Sequence, residues 1–159
     1  MEAKSTDRKH FQLIDNGTIL GELAYSSLLS FKAEIKLANS TVYSLKPHGF
    51  FETSITVSTN GTDIAHLKMN WYGHIVIAFE DGQEFLFKAK GIFQQKFIIE
   101  NKDGQKIIHI APHFNWSKFN YNYEITFDNT AQDTLLILLA IYASNYYIDS
   151  MTGSVAGMS

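Results

Sequence analysis

The chain has 159 residues, of which 45% are hydrophobic and 14% aromatic, and it contains no cysteine. One domain of this length buries roughly 70% of its unfolded surface and needs no disulfide or metal for stability. The lack of cysteine excludes disulfide frameworks, thiolate zinc sites and cysteine nucleophiles. The net charge is −3 and Arg8 is the only arginine. This composition argues against nucleic-acid binding, because phosphate recognition favours clustered basic residues and arginine forks.

The first twelve residues are polar and contain no apolar segment. This pattern predicts no secretory signal, and together with the missing cysteines it favours a cytoplasmic protein. We interpret residues 1–9 as an N-terminal arm that precedes the folded domain.

Most of the chain before residue 128 alternates between apolar and polar side chains, which is typical of half-buried strands. In KFNYNYEITFD, residues 118–128, every second side chain is aromatic or aliphatic. FKAEIKL, residues 31–37, repeats the pattern. Ten or eleven strands are predicted, at about 11–14, 18–25, 29–37, 41–46, 51–58, 62–70, 74–79, 83–90, 94–101, 105–111 and 118–127.

Turn signals recur between these strands at Gly17, Gly61, Gly82 and Gly104, each preceded by Asn or Asp. A three-residue loop that ends on the glycine aligns apolar residues across each hairpin, whereas a two-residue loop does not. We therefore predict three-residue loops with positive φ at all four glycines. The predicted pairs are Ile77 with Phe85, Ile99 with Ile107, and Glu100 with Lys106.

A helix is predicted over residues 131–149. Thr130 and Asp133 have the spacing of a capping box, and the fifteen residues between Asp133 and Asp149 carry no charge. The segment has no polar face, which is typical of a helix that is buried on all sides.

The segment is short for a membrane span, which needs about 20 apolar residues, and aspartates rather than lysines flank it. We therefore predict that it is not transmembrane. Its predicted length matches the height of a barrel of tilted strands. The predicted fold is a β-rich, closed antiparallel barrel of 11–12 strands that encloses the C-terminal helix. Residues 10–149 form this single domain, and residues 150–159 form a flexible tail.

The polar N-terminus, the strands joined by Asn-Gly and Asp-Gly turns, and the final helix TLLILLAIYASNYYI together resemble the tubby C-terminal-like superfamily. This superfamily includes the tubby domain, the LURP-one-related proteins and the phospholipid scramblases. The resemblance covers about residues 10–149 and is architectural. It implies a closed barrel around a C-terminal helix, and contact with phospholipid or phosphoinositide headgroups at a membrane.

The chain departs from that superfamily in three ways. It lacks the cysteines that scramblase-like proteins use for palmitoylation. Their acidic calcium segment has no counterpart beyond Asp128, Asp133 and Asp149. The tubby lipid site uses a Lys/Arg pair, and only lysine pairs are present here.

One such lysine pair is a candidate anion site. Lys88 and Lys90 alternate with apolar residues, so both side chains leave one face of the same strand. Paired lysines near a barrel mouth can hold a phosphate as point charges. The alternative is a solvated outer face that discourages edge pairing.

A candidate protein interface arises from Ile98, Ile108 and Ile110. These residues have the opposite parity to Phe97, Ile99 and Ile107, so one of the two sets points away from the barrel interior. Exposed apolar patches mark interfaces, either with a protein partner or with a second copy of the chain. The N-terminal arm or the tail is the alternative cover.

No catalytic motif is present, and the histidines are the only candidates for a general base. His109 and His113 fall on one strand face, but Pro112 is expected to break the strand between them, and two ligands do not make a metal site. We therefore predict no catalytic residues, no metal and no cofactor. The predicted function is a non-catalytic binding domain, peripheral at membranes, that contacts phospholipid headgroups. The alternative is a protein-interaction or structural barrel without a lipid ligand.

Overall fold

A computed structural model describes residues 1–49, 53–91 and 95–158 of the protein. The segments in which apolar and polar side chains alternate form strands. The predicted strand starts at residues 51 and 94 lie outside the described residues. Within the described residues there are twelve strands and one helix. They are β1 (Glu2–Ser5), β2 (His10–Asp15), β3 (Thr18–Tyr25), β4 (Ala33–Leu37), β5 (Val42–His48), β6 (Ser54–Thr59), β7 (Thr62–Met69), β8 (Ile75–Phe79), β9 (Glu84–Lys90), β10 (Lys96–Glu100), β11 (Lys106–Asn115), β12 (Asn120–Phe127) and α1 (Thr134–Met158).

Each strand pairs antiparallel with its neighbours in sequence, and β1 pairs with both β2 and β12. This double pairing closes the sheet into a barrel. The buried apolar side chains of the strands and those of α1 form one continuous core. The prediction of a closed antiparallel barrel that encloses a C-terminal helix is confirmed, with twelve strands.

The prediction that residues 1–9 form an N-terminal arm is wrong, because β1 is part of the barrel wall. Ala3 is completely buried in the core. The backbone amide and the hydroxyl of Ser5 each donate a hydrogen bond to Asn122 Oδ1, both at 2.9 Å. This strand has only four residues, of which three are polar, so it is too short to show a clear alternation in the sequence.

The positive φ predicted for Gly17, Gly61, Gly82 and Gly104 is confirmed. The predicted loop length of three residues is wrong for the two Asn-Gly turns. Asn16 and Asn60 also have positive φ, at 48° and 51°, and the flanking residues pair directly across two-residue loops. Positive φ at both central positions is the type I′ conformation, whose twist matches that of the strands. Each of these hairpins has a register shift one or two residues before its turn. Beyond that shift, apolar residues of the two strands again lie opposite each other.

The Asp-Gly turns have the predicted three-residue loops. Around Gly82, Phe79 N donates to Gln83 O at 2.8 Å, and Ile77 pairs with Phe85 as predicted. In the next hairpin Glu100 pairs with Lys106 as predicted. A bulge then pairs Ile99 with Ile108, so the predicted partner Ile107 is wrong. The extra residue reverses which side chains of β11 point into the barrel.

Helix α1 begins at Thr134, three residues later than predicted. Asp133, rather than Thr130, is the N-cap: its Oδ1 accepts hydrogen bonds from Leu135 N at 2.9 Å and Leu136 N at 3.4 Å. These bonds satisfy backbone donors that have no partner within the first turn. Residues 150–158, predicted as a flexible tail, continue the helix, and Ser159 lies outside the described residues.

The middle of α1 is buried on every side, as predicted: Leu138, Leu139 and Tyr142 have no solvent exposure. The helix lies so close to β3 that a Cβ on Gly21 would stand 2.8 Å from Leu138 Cδ1 and 3.0 Å from the backbone oxygen of Lys36. Glycine at position 21 therefore permits the helix to pack directly on the sheet. No helix in the described part of the chain has the length and apolarity that crossing a membrane requires.

Candidate functional site

The antiparallel order separates the strand connections into two groups at opposite ends of the barrel. The connections β2–β3, β4–β5, β6–β7, β8–β9 and β10–β11 are short turns, and we call their end the tight-turn end. The other six connections lie at the opposite end, which we call the long-loop end. Helix α1 starts at the tight-turn end, and its residues Asn145, Ile148 and Asp149 reach the long-loop end.

The exposed apolar surface is concentrated at the long-loop end. Nine large hydrophobic side chains are exposed among the described residues. Two of these, Ile19 and Val42, lie in strands next to the tight-turn end. The other seven lie in or next to the long-loop connections: Leu28, Leu29, Trp71, Tyr72, Phe114, Trp116 and Phe119.

Local hydrogen bonds hold these side chains outside the barrel. Asn70 Oδ1 accepts from Tyr72 N at 2.9 Å and from His74 N at 3.1 Å, which fixes the turn that carries Trp71. Trp71 has no neighbour that shields it and is fully exposed. Phe119 has a φ of +50°, a conformation that is uncommon for a bulky residue, and it remains exposed. Such strain is found preferentially at functional sites.

The charges are distributed unevenly between the two ends. Six basic residues lie in the described long-loop connections or at the strand positions that border them: Arg8, Lys9, Lys32, Lys90, Lys96 and Lys118. Asp7 is the acidic residue in the same described positions, and Asp149 of α1 reaches the same end. The corresponding positions at the tight-turn end carry mostly acidic residues: Glu2, Asp15, Glu80, Asp81, Glu84, Glu100, Asp103, Asp128 and Asp133. The barrel therefore has one basic end and one acidic end.

Asp7 is engaged within its own loop. Its Oδ1 accepts from Lys9 N at 2.7 Å, and the carboxylate lies 2.8 Å from His10 Nδ1. These two hydrogen bonds, with the backbone amide of Lys9 as the larger cause, hold the pKa of the Asp7 carboxyl below its usual value. The acid therefore orders the β1–β2 loop.

The predicted lysine pair is placed on the outer face of β9. Lys88 forms an ion pair with Glu100 at 3.0 Å, and only about a quarter of its side chain is exposed. Lys90 is exposed and lies directly opposite Lys96, which is also exposed. Neither Lys90 nor Lys96 has an ion pair with any described residue. Of Lys88, Lys90 and Lys96, the last two are thus free to bind an anion, and Lys96 was missed because the register of β9 and β10 was not deduced.

The predicted isoleucine interface is wrong, because all three of its members are buried. Ile108 and Ile110 point into the barrel and belong to the buried core. The bulge after Ile99 is the physical reason, because it reverses the parity of β11. Ile98 points outward between Lys88 and His109, but it is only 4% exposed and offers no surface for a partner.

Four of the six histidines form separate pairs with carboxylates among the described residues: His10, His66, His109 and His113. His109 Nε2 lies 2.8 Å from Asp128, and His113 Nε2 lies 3.7 Å from Glu124. Strand β11 continues through Pro112 to Asn115, so the predicted break at the proline is wrong. Over the residues that the structure describes, no group of three or more His, Asp or Glu residues could hold a metal ion.

A cavity of about 330 Å³ opens at the long-loop end. Its wall comes from the connections β1–β2, β3–β4 and β11–β12, and the end of α1 forms its floor. At the floor, the Tyr123 hydroxyl donates to Asn145 Oδ1, and Asn145 Nδ2 donates to the Tyr25 hydroxyl at 3.1 Å. Burial raises the pKa of both tyrosines well above the usual value. This hydrogen-bonded set fixes the floor of the cavity.

Asp149 also lines the cavity, at a point where solvent reaches its side chain. The surrounding protein still removes part of the hydration of the carboxylate, which raises its pKa above the usual value. Arg8 lines the same cavity, but the two groups do not form an ion pair, and neither pairs with another described residue.

Replacing Asp149 with Asn should change how the free energy of unfolding depends on pH. Because the folded-state pKa is raised, the stability contributed by this group is fully present below the unfolded pKa and is lost as the pH rises through the folded pKa. Asp149→Asn should therefore become more stable relative to the parent as the pH rises from about 4. Urea denaturation across this range measures the effect, and a stability difference that does not vary with pH would contradict it.

The long-loop end thus combines exposed aromatic side chains, unpaired basic residues and a cavity that contains a carboxylate. Sequence reasoning identified Lys90 but missed Trp71 and Trp116. Each tryptophan follows an asparagine in a segment between two strands, and a large apolar residue in a turn was the available signal. Comparison of the chain with protein-family models, curated proteins and solved structures finds no match.

Proposed function

We propose that the protein is a non-enzymatic binding domain that docks on phospholipid surfaces through its long-loop end. The observation that carries this proposal is the position of the exposed apolar side chains: of the nine large ones among the described residues, seven lie at the basic end of the barrel. Tryptophan and tyrosine favour the interface between lipid and water, because their rings are apolar and one edge is polar. The arrangement of the basic and acidic ends also supports one orientation, with the acidic end away from the anionic surface.

Charge and apolar contact are expected to act together. A basic residue near an anionic leaflet contributes about 1 kcal/mol, and six lie at this end. Insertion of Trp71, Trp116 and Leu29 among the lipid headgroups adds burial of apolar surface. The resemblance to the tubby C-terminal-like superfamily supports the same class of ligand. The histidines, which pair with carboxylates or lie outside the cavity, are not grouped as a catalytic site would require.

Co-sedimentation with vesicles should show this binding at low salt. The parent should bind vesicles that contain phosphatidylserine or a phosphoinositide more strongly than vesicles of phosphatidylcholine alone. Lys90→Ala/Lys96→Ala should weaken binding to the anionic vesicles by about tenfold or more, because two charges are lost. Trp71→Ala/Trp116→Ala should weaken binding to a similar degree, and that loss should persist at high salt, because it is apolar.

Matched variants at the tight-turn end serve as controls. Lys102→Ala/Lys106→Ala removes the same charge, and Ile19→Ala/Val42→Ala removes exposed apolar surface. Both should bind like the parent. If the parent does not sediment at low salt, or if both ends contribute equally, the lipid proposal is wrong and a protein partner for the aromatic side chains becomes the better explanation.

A further inference from the structure

The cavity at the long-loop end combines apolar walls with a few charged and polar groups, as ligand sites commonly do. Its volume, about 330 Å³, lies within the range of small-molecule sites. Five aromatic side chains line it: Phe11, Tyr25, Phe31, Phe119 and Tyr121. A carboxylate, Asp149, and a guanidinium, Arg8, line it without forming an ion pair with each other.

The wall is held in place by contacts around it. The Phe31 ring packs on Tyr146 with centroids 4.8 Å apart, and the Tyr121 ring packs on Phe114 at 5.2 Å. Asn120 Nδ2 donates to the backbone oxygen of Arg8 at 3.1 Å, which ties the β1–β2 loop to the start of β12. A site that is formed before the ligand arrives loses less entropy on binding.

The chemistry of the wall indicates an ammonium ligand. Aromatic rings attract a cation that is placed over their faces, and quaternary ammonium groups are bound in this way. A carboxylate beside the rings adds an opposite charge. The partial dehydration of Asp149, which raises its pKa, is a cost that a bound cation would offset. Arginine, in contrast, suits a phosphate, because its planar fork can donate two parallel hydrogen bonds.

We propose that this cavity binds a phosphocholine-like zwitterion, with the quaternary ammonium among the aromatic side chains beside Asp149 and the phosphate at Arg8. The inference deepens the proposed function, because it names the headgroup class that the docked barrel takes from the lipid surface. It does not depend on membrane docking for its test, because the soluble headgroup reaches the cavity without a vesicle.

Calorimetric or NMR titration of the full chain with phosphocholine, choline and inorganic phosphate tests the site. Phosphocholine should bind more tightly than either fragment. Asp149→Asn should weaken the binding of both phosphocholine and choline by about tenfold, and Phe119→Ala should weaken both by several-fold. Arg8→Gln should weaken phosphocholine binding but leave choline binding unchanged. All three positions are exposed, so thermal melts should show that these variants remain folded.

Lys90→Ala/Lys96→Ala separates the two proposals. This variant should bind anionic vesicles more weakly and keep phosphocholine binding in solution, whereas Asp149→Asn should bind phosphocholine more weakly and keep its binding to anionic vesicles. Release of the parent from phosphatidylcholine vesicles by soluble phosphocholine would identify the source as a lipid headgroup, and solution binding without such release would identify a free small molecule. The site is overturned if phosphocholine binds no better than inorganic phosphate, or if Asp149→Asn binds it like the parent.

Discussion

A chain that ends at Asp133, without α1, should not fold. The barrel interior is filled by the helix, whose buried apolar residues run from Leu135 to Ile148. Each large apolar side chain contributes about 1.5–3 kcal/mol on burial, so the loss of this set exceeds the roughly 5–15 kcal/mol of net stability of a typical domain. The strand residues that contact the helix would also face an empty cavity, which adds a further cost.

Circular dichroism and a denaturant titration measure this outcome. The truncated chain should show no cooperative transition and no near-ultraviolet signal from ordered aromatic rings. A chain that ends at Ser150 is the matched control, because it keeps the helix residues that are buried in the core, Leu135 to Ile148. This chain should melt cooperatively. A soluble chain of residues 1–133 with a cooperative transition would show that the barrel is stable without its central helix.

Asn145→Ala should destabilise the protein by about 2–4 kcal/mol, because it leaves buried polar groups without partners. The amide of Asn145 accepts a hydrogen bond from the Tyr123 hydroxyl and donates one to the Tyr25 hydroxyl at 3.1 Å. Tyr123 is only 1% exposed, so its hydroxyl depends on this partner in the folded protein. Urea denaturation at neutral pH should show a lower midpoint with an unchanged slope.

The adjacent residue provides the control. Ser144 is also polar and fully buried, but its hydroxyl donates to Ala140 O at 2.8 Å within the same helix. Ser144→Ala removes this hydroxyl but leaves no buried polar group without a hydrogen bond, and alanine favours the helix. The free energy of unfolding should therefore change by less than about 1 kcal/mol. Equal destabilisation by Asn145→Ala and Ser144→Ala would mean that the Tyr123–Asn145–Tyr25 set contributes nothing specific.

Local patterns were sufficient for the main features of the fold. The alternation in residues 118–128 predicts β12, because side chains of a strand point alternately to its two faces. The apolar segment that follows Asp133 predicts a helix buried on all sides, and the interior of a closed sheet can bury it without a membrane. The left-handed glycines could be predicted as well, since this conformation is a property of the turn itself.

The register of the strands and the closure of the barrel could not be predicted from local patterns. A bulge shifts the pairing of a strand by one residue, so the side chains beyond it point to the opposite faces of the sheet. For this reason Ile108 and Ile110 lie in the core, although they were predicted to lie on the surface. Strand β1 is a strand only because β2 and β12 leave a gap that its backbone fills. Both outcomes depend on partners far away in the chain, and no local pattern encodes them.

The sequence by itself therefore determined strands β2 to β12, the positions of the glycine turns and the buried helix, since each depends on the spacing of side chains within a few residues. Only the tertiary structure decided the candidate site. Arg8, Phe31, Phe119 and Asp149 lie in four separate segments, and they share one cavity because the closed barrel brings three connections around the end of α1. Likewise Lys90 meets Lys96 only through the register of two paired strands, which is fixed by long-range packing of the core.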